Sequence, residues 1–275
     1  MIAVIAGTGT LPIEACKALI QDKKDFFVLS LFPEDNGPAL QTVLDQAIIT
    51  GKKPHIISQP FYKASECLAT LKQHKTTHVL MIGKVDKNNL LKKVKFDWLA
   101  VKLLASLVTK NDTEIMERIV AFLAEHNMQI IKQDAVLKAL LVQPGVLAGT
   151  LTPELEANII FGIKTACMLS EHDIGQTVII KDHMVLAVEA IEGTDNCIKR
   201  GIDLGITDVI VCKAAKSSQN RAFDLPTLGP NSLKNIQPGQ VSAIAWLWSH
   251  TLIAQKDLFI EQANKLGITL VSYKI

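Results

Sequence analysis

Glu189, Glu192 and Asp195 place three carboxylates within seven residues, inside the stretch LAVEAIEGTDN at 186–196. The residues around the first of them read as a buried strand: Leu186, Ala187, Val188, Ala190 and Ile191 are apolar. Buried carboxylates are unfavourable unless they bind a cation or accept hydrogen bonds. A second polar loop, CKAAKSSQNRAFDLPTLGP at 212–230, follows another apolar strand and carries the opposite charge in Lys213, Lys216 and Arg221. The same loop holds Asp224, with Pro226 and Gly229 beyond it. Glu192, Asp195 and Asp224 offer the hard oxygen ligands that magnesium takes. Lys213, Lys216 and Arg221 suit phosphate oxygens. In open α/β folds, ligands sit beyond the carboxyl ends of strands, where both loops fall. The chemistry this set suits is hydrolysis or transfer at phosphorus. Metal and cations would offset charge, and a carboxylate would orient or deprotonate water. A simpler reading has Glu192 and Asp195 serving the dipole of the next helix.

The elements that must position these residues follow from periodicity. In the first half, IAVIAG, FFVLSLF, HIISQ and HVLMIG read as short apolar strands, alternating with the helical PIEACKALIQ and ASECLATLKQHK. That alternation predicts a parallel sheet with crossover helices. EIMERIVAFLAEHN continues with Ile115, Ile119, Phe122 and Leu123 on one helical face, and MQIIKQ reads as a further strand. In the second half, PELEANIIFGIKTACMLSE reads as a long helix opened by Thr152 and Pro153. TVIIKDHMVLAVEAI reads as two strands about a Lys181–Asp182–His183 turn, and TDNCIKRGIDLGI as a helix with Thr194 as its cap. DVIVCKAA, VSAIAWLWSHTLIAQ and DLFIEQANKLGITLVSY complete an α/β pattern, with Trp246 and Trp248 on one strand face as core or interface. We place one domain at 1–132 and a second at 133–275.

Weaker signals narrow the function. AGTGTLP at 6–12 lacks the third glycine of a dinucleotide fingerprint and has Pro12 instead. Gly7 and Gly9 either present backbone N–H groups to a phosphate or serve a tight turn. A net charge of +2 gives no general nucleic-acid footprint. The seven histidines are dispersed, and the five cysteines form no CxxC pair, so neither a zinc site nor a disulfide framework is expected. Apolar runs such as HVLMIG fall short of the about 20 residues that cross a bilayer. The N-terminus reads as a strand rather than a signal peptide. Lys92, Lys93, Lys95 and Trp98 form a basic, aromatic patch suited to solvent or to anionic lipid.

The run DIGQTVIIKDHMVLAVEAIEGTDN, followed by the spaced K, K, QNR and FDLPTLGP of the second loop, resembles the UDP-2,3-diacylglucosamine pyrophosphatase family of the LpxI type. IAGTGTLP and IGKVDK at 82 are similar to that family as well. The resemblance is dense over 173–230 and looser before 130. It implies an N-terminal Rossmann-like domain and a C-terminal α/β domain, with the lipid-bearing sugar held between them. It implies magnesium-dependent hydrolysis of UDP-2,3-diacylglucosamine to 2,3-diacylglucosamine 1-phosphate (lipid X) and UMP. Water would attack the sugar-side phosphorus, in bacterial cytoplasm, during lipid A synthesis. On these motifs Asp224 is the first choice for the essential carboxylate, with Arg221, Glu192 and Asp195 beside it as catalytic residues. Asp224, Asp195 and Glu192 are the expected metal ligands. Thr194, Lys213, Gln219, Asn220, Gln176, Gly7 and Gly9 are the expected substrate contacts. Peripheral contact with the inner membrane is a further expectation, and a homo-oligomer is left open.

One position departs from the family pattern: Asn220 stands where that pattern has an acid. If the acid is a metal ligand, this chain binds metal weakly, turns over slowly or prefers another substrate; if it is structural, nothing is lost. A catalytically impaired lipid or nucleotide-sugar binding protein is therefore the second reading. A nicotinamide oxidoreductase, resting on the N-terminal glycines alone, is the third.

Overall fold

A computed structural model of the chain describes residues 1–47, 53–84, 95–105 and 112–275. Two compact units are present. The first comprises Met1–Leu137 with Arg221–Phe223; the second comprises Lys138–Asn220 with Asp224–Ile275.

The first unit is built on strands β1 (Ile2–Ala6), β2 (Phe26–Ser30), β3 (Ile56–Ser58), β4 (His78–Ile82) and β5 (Gln129–Ile130). All neighbours are parallel, in the order β3-β2-β1-β4-β5. This is the order of doubly wound sheets, with the reversal between β1 and β4. Every residue of β2 is buried, as a strand covered on both faces requires. Helices α1 (Leu11–Gln21), α2 (Pro33–Asp45), α3 (Ala64–Gln73), α4 (Trp98–Ala105), α5 (Asp112–Glu125) and the short α6 (Gln133–Val136) complete the described elements of this unit. The core joins Ala3, Phe27, Leu29, Val79 and Met81 of the sheet to Leu71 and Leu123 of the helices.

Helix α2 goes against its own sequence, because Gly37 and Pro38 lie inside it and an interior proline forfeits a helical hydrogen bond. Tertiary bonds compensate. The buried Asn36 side chain donates to the Gly7 and Gly9 carbonyls at 2.8 and 3.3 Å, and Asp35 accepts the Gly9 N–H at 3.0 Å.

In the second unit, β6 (Gly145–Ala148), β7 (Thr177–Lys181), β8 (Met184–Val188), β9 (Val209–Lys213), β11 (Val241–Leu247) and β13 (Thr269–Tyr273) form a mixed sheet, ordered β6-β13-β11-β9-β7-β8. The short β10 (Thr227–Leu228) and β12 (Leu252–Ile253) pair separately. Strand alternation sorts the core into two layers. Ile179, Val209 and Val211 face α8 (Thr194–Gly205) and α9 (Lys256–Leu266). Val178, Ile180, Ile210 and Cys212 face α7 (Pro153–Glu171). Thr152 caps α7 as the sequence predicts, accepting the Leu155 N–H at 3.2 Å, with Pro153 in the first turn. The β7–β8 hairpin turns on Asp182 and His183, both at positive φ, as a two-residue primed turn requires. Trp246 is fully buried in this core, whereas Trp248 lies past the end of β11 and is half-buried.

Candidate active site

Antiparallel pairing gathers three strand ends. Thr177, which opens β7, sits opposite Lys213, which closes β9. Just past β8, the Glu189 N–H donates to the Thr177 carbonyl at 2.8 Å. Lys213 has the same strand parity as Val209 and Val211, so its side chain faces α8 and is only 4% exposed. Its ammonium donates to Thr177 Oγ1 at 3.0 Å and Thr194 Oγ1 at 2.8 Å. The Thr194 hydroxyl in turn donates to Glu189 Oε1 at 2.9 Å. Glu189 Oε2 is buried without a hydrogen bond, but it lies 3.7 Å from Lys213 Nζ as an ion pair. A buried ammonium is costly unless charge and hydrogen bonds compensate it; here both do.

Thr194 is therefore not the helix cap that the sequence suggests. It is the first residue of α8; Gly193 is the cap, at φ +79°, and has no side chain to cap with. A Cβ on Gly193 would meet nothing within 4 Å, so its requirement is conformational rather than steric.

The three expected metal ligands do not assemble. Glu192 ion-pairs with Arg200, which also donates to the Val188 carbonyl at 2.8 Å. That contact holds the Glu192 carboxyl below the usual carboxylate range. Asp195 is exposed on the first turn of α8, beside Lys199 and opposite Asn231 and Asn235 in a shallow recess. Asp224 is exposed on the second loop. Among the described residues, no three His, Cys, Asp or Glu side chains form a group able to hold a metal. Of the three expected ligands, Glu192 is engaged by Arg200, while Asp195 and Asp224 are exposed.

The second loop is anchored at several points. Lys216 does not stand open for phosphate but pairs with Asp173 at 2.6 Å, and the Ser217 N–H donates to Glu171 at 2.6 Å. The Ala214 N–H donates to the Gln176 carbonyl at 2.8 Å. Gln219 is buried, and its amide donates to both the carboxylate and the main-chain carbonyl of Asp224. The Asp224 N–H closes a turn on the Asn220 carbonyl at 3.0 Å. Arg221 belongs to the first unit, where it pairs with Asp134 at 2.5 Å.

In the first unit, the glycine loop does not offer its N–H groups to a ligand. The Gly7 N–H donates to the Ile82 carbonyl, that of Thr8 to the Lys84 carbonyl and that of Gly9 to Asp35. A Cβ on Gly7 would lie 2.5 Å from the Lys84 carbonyl oxygen. Close packing requires glycine at position 7, and a φ of +90° favours it at position 9.

Sequence reasoning gave no role to Glu189, Thr177 or Asp134. A carboxylate just past a buried strand was the available signal for Glu189. Asp134 had none, because its partner lies 87 residues away. All five cysteines are free thiols, and burial pushes Cys197, beside the Thr177 carbonyl, up to about 12.

The family model of the LpxI N-terminal domain matches residues 1–140, and that of the LpxI C-terminal domain matches residues 143–271. The chain belongs to the LpxI family. A curated relative, the UDP-2,3-diacylglucosamine pyrophosphatase LpxI of Caulobacter vibrioides, is 27% identical over 180 residues. That match covers 61% of this chain and 64% of the relative, so it spans just under two thirds of the relative's length. The LpxI C-terminal match contains every residue of the Lys213–Thr194–Glu189 cluster and the whole Asp224 loop. The two LpxI matches also meet the observed α/β architecture, a parallel sheet in the first unit and a mixed sheet in the second.

Proposed function

We propose that this LpxI-family chain hydrolyses UDP-2,3-diacylglucosamine to 2,3-diacylglucosamine 1-phosphate and UMP, as a cytoplasmic step of lipid A synthesis. The observation that carries the reading is the match of both LpxI domains along the chain, joined to the activity for which the Caulobacter relative is named. The Asp224 loop supports it. Gln219 fixes one carboxylate oxygen and the main-chain carbonyl of an otherwise exposed Asp224. A carboxylate held in this way can orient water and accept its proton. Water oxygen then bonds to the sugar-side phosphorus, the anhydride P–O bond breaks, and UMP leaves with the bridging oxygen. Arg221, paired with Asp134 within the first unit, carries a guanidinium whose chemistry suits a phosphate.

Magnesium belongs to this reading. It commonly takes only one or two protein carboxylates plus substrate phosphates, so a prebuilt three-ligand cage is not required. Asp224, Asp195 and Glu192 all carry the carboxylate oxygens it takes; those of Asp224 and Asp195 are exposed, whereas Glu192 is paired with Arg200. When bound, magnesium would offset diphosphate charge.

The test is UMP release from UDP-2,3-diacylglucosamine, with magnesium and with chelator. Release that requires magnesium is the expected result. A folded protein that releases no UMP across several metals and acyl lengths would sink the reading. The impaired binding protein, favoured by Asn220, would then stand.

The lipid substrate gives the basic patch a role at the inner membrane surface. Trp98 is 75% exposed and Val101 51% exposed on α4, with Lys102 over the Trp98 ring at 5.2 Å and Lys95 exposed nearby. Lys92 and Lys93 lie outside the described residues, as does IGKVDK from 85 onward. Among the described residues, no helix is long and apolar enough to cross a membrane. Sedimentation with anionic vesicles is expected to weaken on Trp98→Ala combined with Lys95→Glu. Unchanged sedimentation would remove membrane contact from the proposal.

A further inference from the structure

We infer that Glu189 and Lys213 are positioning residues, a charge-compensated brace that sets where α8 begins, rather than contacts to substrate phosphate. The inference rests on the hydrolase reading above and specifies how that site is held.

Lys213 is almost fully enclosed, and both threonine hydroxyls accept from it. Its ammonium is already engaged by Thr177 and Thr194, with the Glu189 carboxylate 3.7 Å away. The Thr194 hydroxyl uses its hydrogen on Glu189 and a lone pair on Lys213, so both charged groups hold the same side chain. That side chain opens α8 directly after the Gly193 turn and directly before the exposed Asp195. A third strut comes from the DIGQ segment. A Cβ built on Gly175 would lie 2.0 Å from the Glu189 carbonyl oxygen, so the two main chains abut. The brace therefore fixes the direction of the Thr194–Asp195 turn without presenting its charges to the solvent.

Two carriers of one buried charge pair must be coupled. Removing either leaves the other uncompensated, whereas removing both does not. A double-mutant cycle of Glu189→Gln and Lys213→Met separates the brace from a phosphate ligand. Steady-state UMP release and melting temperature are the readouts. Each single variant is expected to lower kcat by about a hundredfold with KM little changed. The double variant should be no worse than the poorer single, in both kcat and melting temperature. Thr194→Val should behave like the singles, and Thr194→Ser should recover most of the loss. If Lys213→Met does not fold, the double variant and Thr194→Val still carry the comparison.

Additive losses in the cycle would overturn the brace. So would a Lys213→Met variant that raises KM while keeping kcat, the signature of a lost phosphate contact. A wild-type protein without UMP release would overturn the hydrolase reading. Coupled melting temperatures alongside that result would locate the failure in the reaction rather than in the brace.

Discussion

Asp224→Ala is expected to lower UMP release by about 10²–10⁴-fold, the usual contribution of a positioned acid or base, while the melting temperature hardly moves. The asymmetry follows from where the side chain sits. Asp224 is exposed, so truncation empties no core space; surface substitutions away from special features stay within about 0.5 kcal/mol. Gln219 loses one acceptor but keeps the Asp224 main-chain carbonyl. Asp224→Asn sharpens the test, because the amide oxygen still accepts a hydrogen bond while the charge and the basicity are gone. Equal loss in both variants assigns the effect to the carboxylate itself. Activity retained in Asp224→Asn would remove Asp224 as proton acceptor and leave it an anchor for the loop. Asn220→Asp belongs in the same series. It introduces the acid that the family resemblance implies, one turn from Asp224, where the Asp224 N–H meets the Asn220 carbonyl at 3.0 Å. Faster turnover at low magnesium would identify that position as a metal contact.

What the sequence made legible was whatever depended on local rules. The Thr152–Pro153 helix start, the Asp182–His183 hairpin and the fully buried β2 each follow from the residues on the spot. Helix α2 was illegible because Gly37 and Pro38 favour a turn, and only the bonds of Asn36 and Asp35 to the distant Gly7–Gly9 loop reverse that local preference. The candidate site divides in the same way. The two loops after strands and the Gln219–Asp224 contact lie within short sequence distance. Lys213 carries a charge, and charge on a loop suggests phosphate. Its last-in-strand register, facing α8 beside Thr177 and Thr194, becomes apparent only when β7 pairs with β9. Thr194 differs from expectation for a related reason. A threonine ahead of a helical pattern is usually a cap, but positive φ at Gly193 moves the cap back by one residue and releases the hydroxyl for Glu189.

Gly175→Ala should destabilise the second unit by about 1–3 kcal/mol, the range for overpacking a filled interior. The melting temperature should fall by roughly 3–10 °C. The new methyl would lie 2.0 Å from the Glu189 carbonyl oxygen and 2.7 Å from its carbon. Both are main-chain atoms, so no side-chain rotation can relieve the contact. Either the DIGQ segment or the end of β8 must move. The first choice pulls on the Gln176 carbonyl, which accepts from Ala214 at the mouth of the Asp224 loop. The second displaces Glu189 from Thr194 and Lys213. Activity is therefore expected to fall by more than the fraction unfolded accounts for. Gly193→Ala is the matched comparison, because its Cβ would enter open space and its cost comes only from the backbone at φ +79° and ψ 168°, about 1–3 kcal/mol. Should Gly175→Ala melt with the wild type, the two main chains are not in contact, and Glu189 is held by its main-chain bond to Thr177 and its side chain without the DIGQ segment.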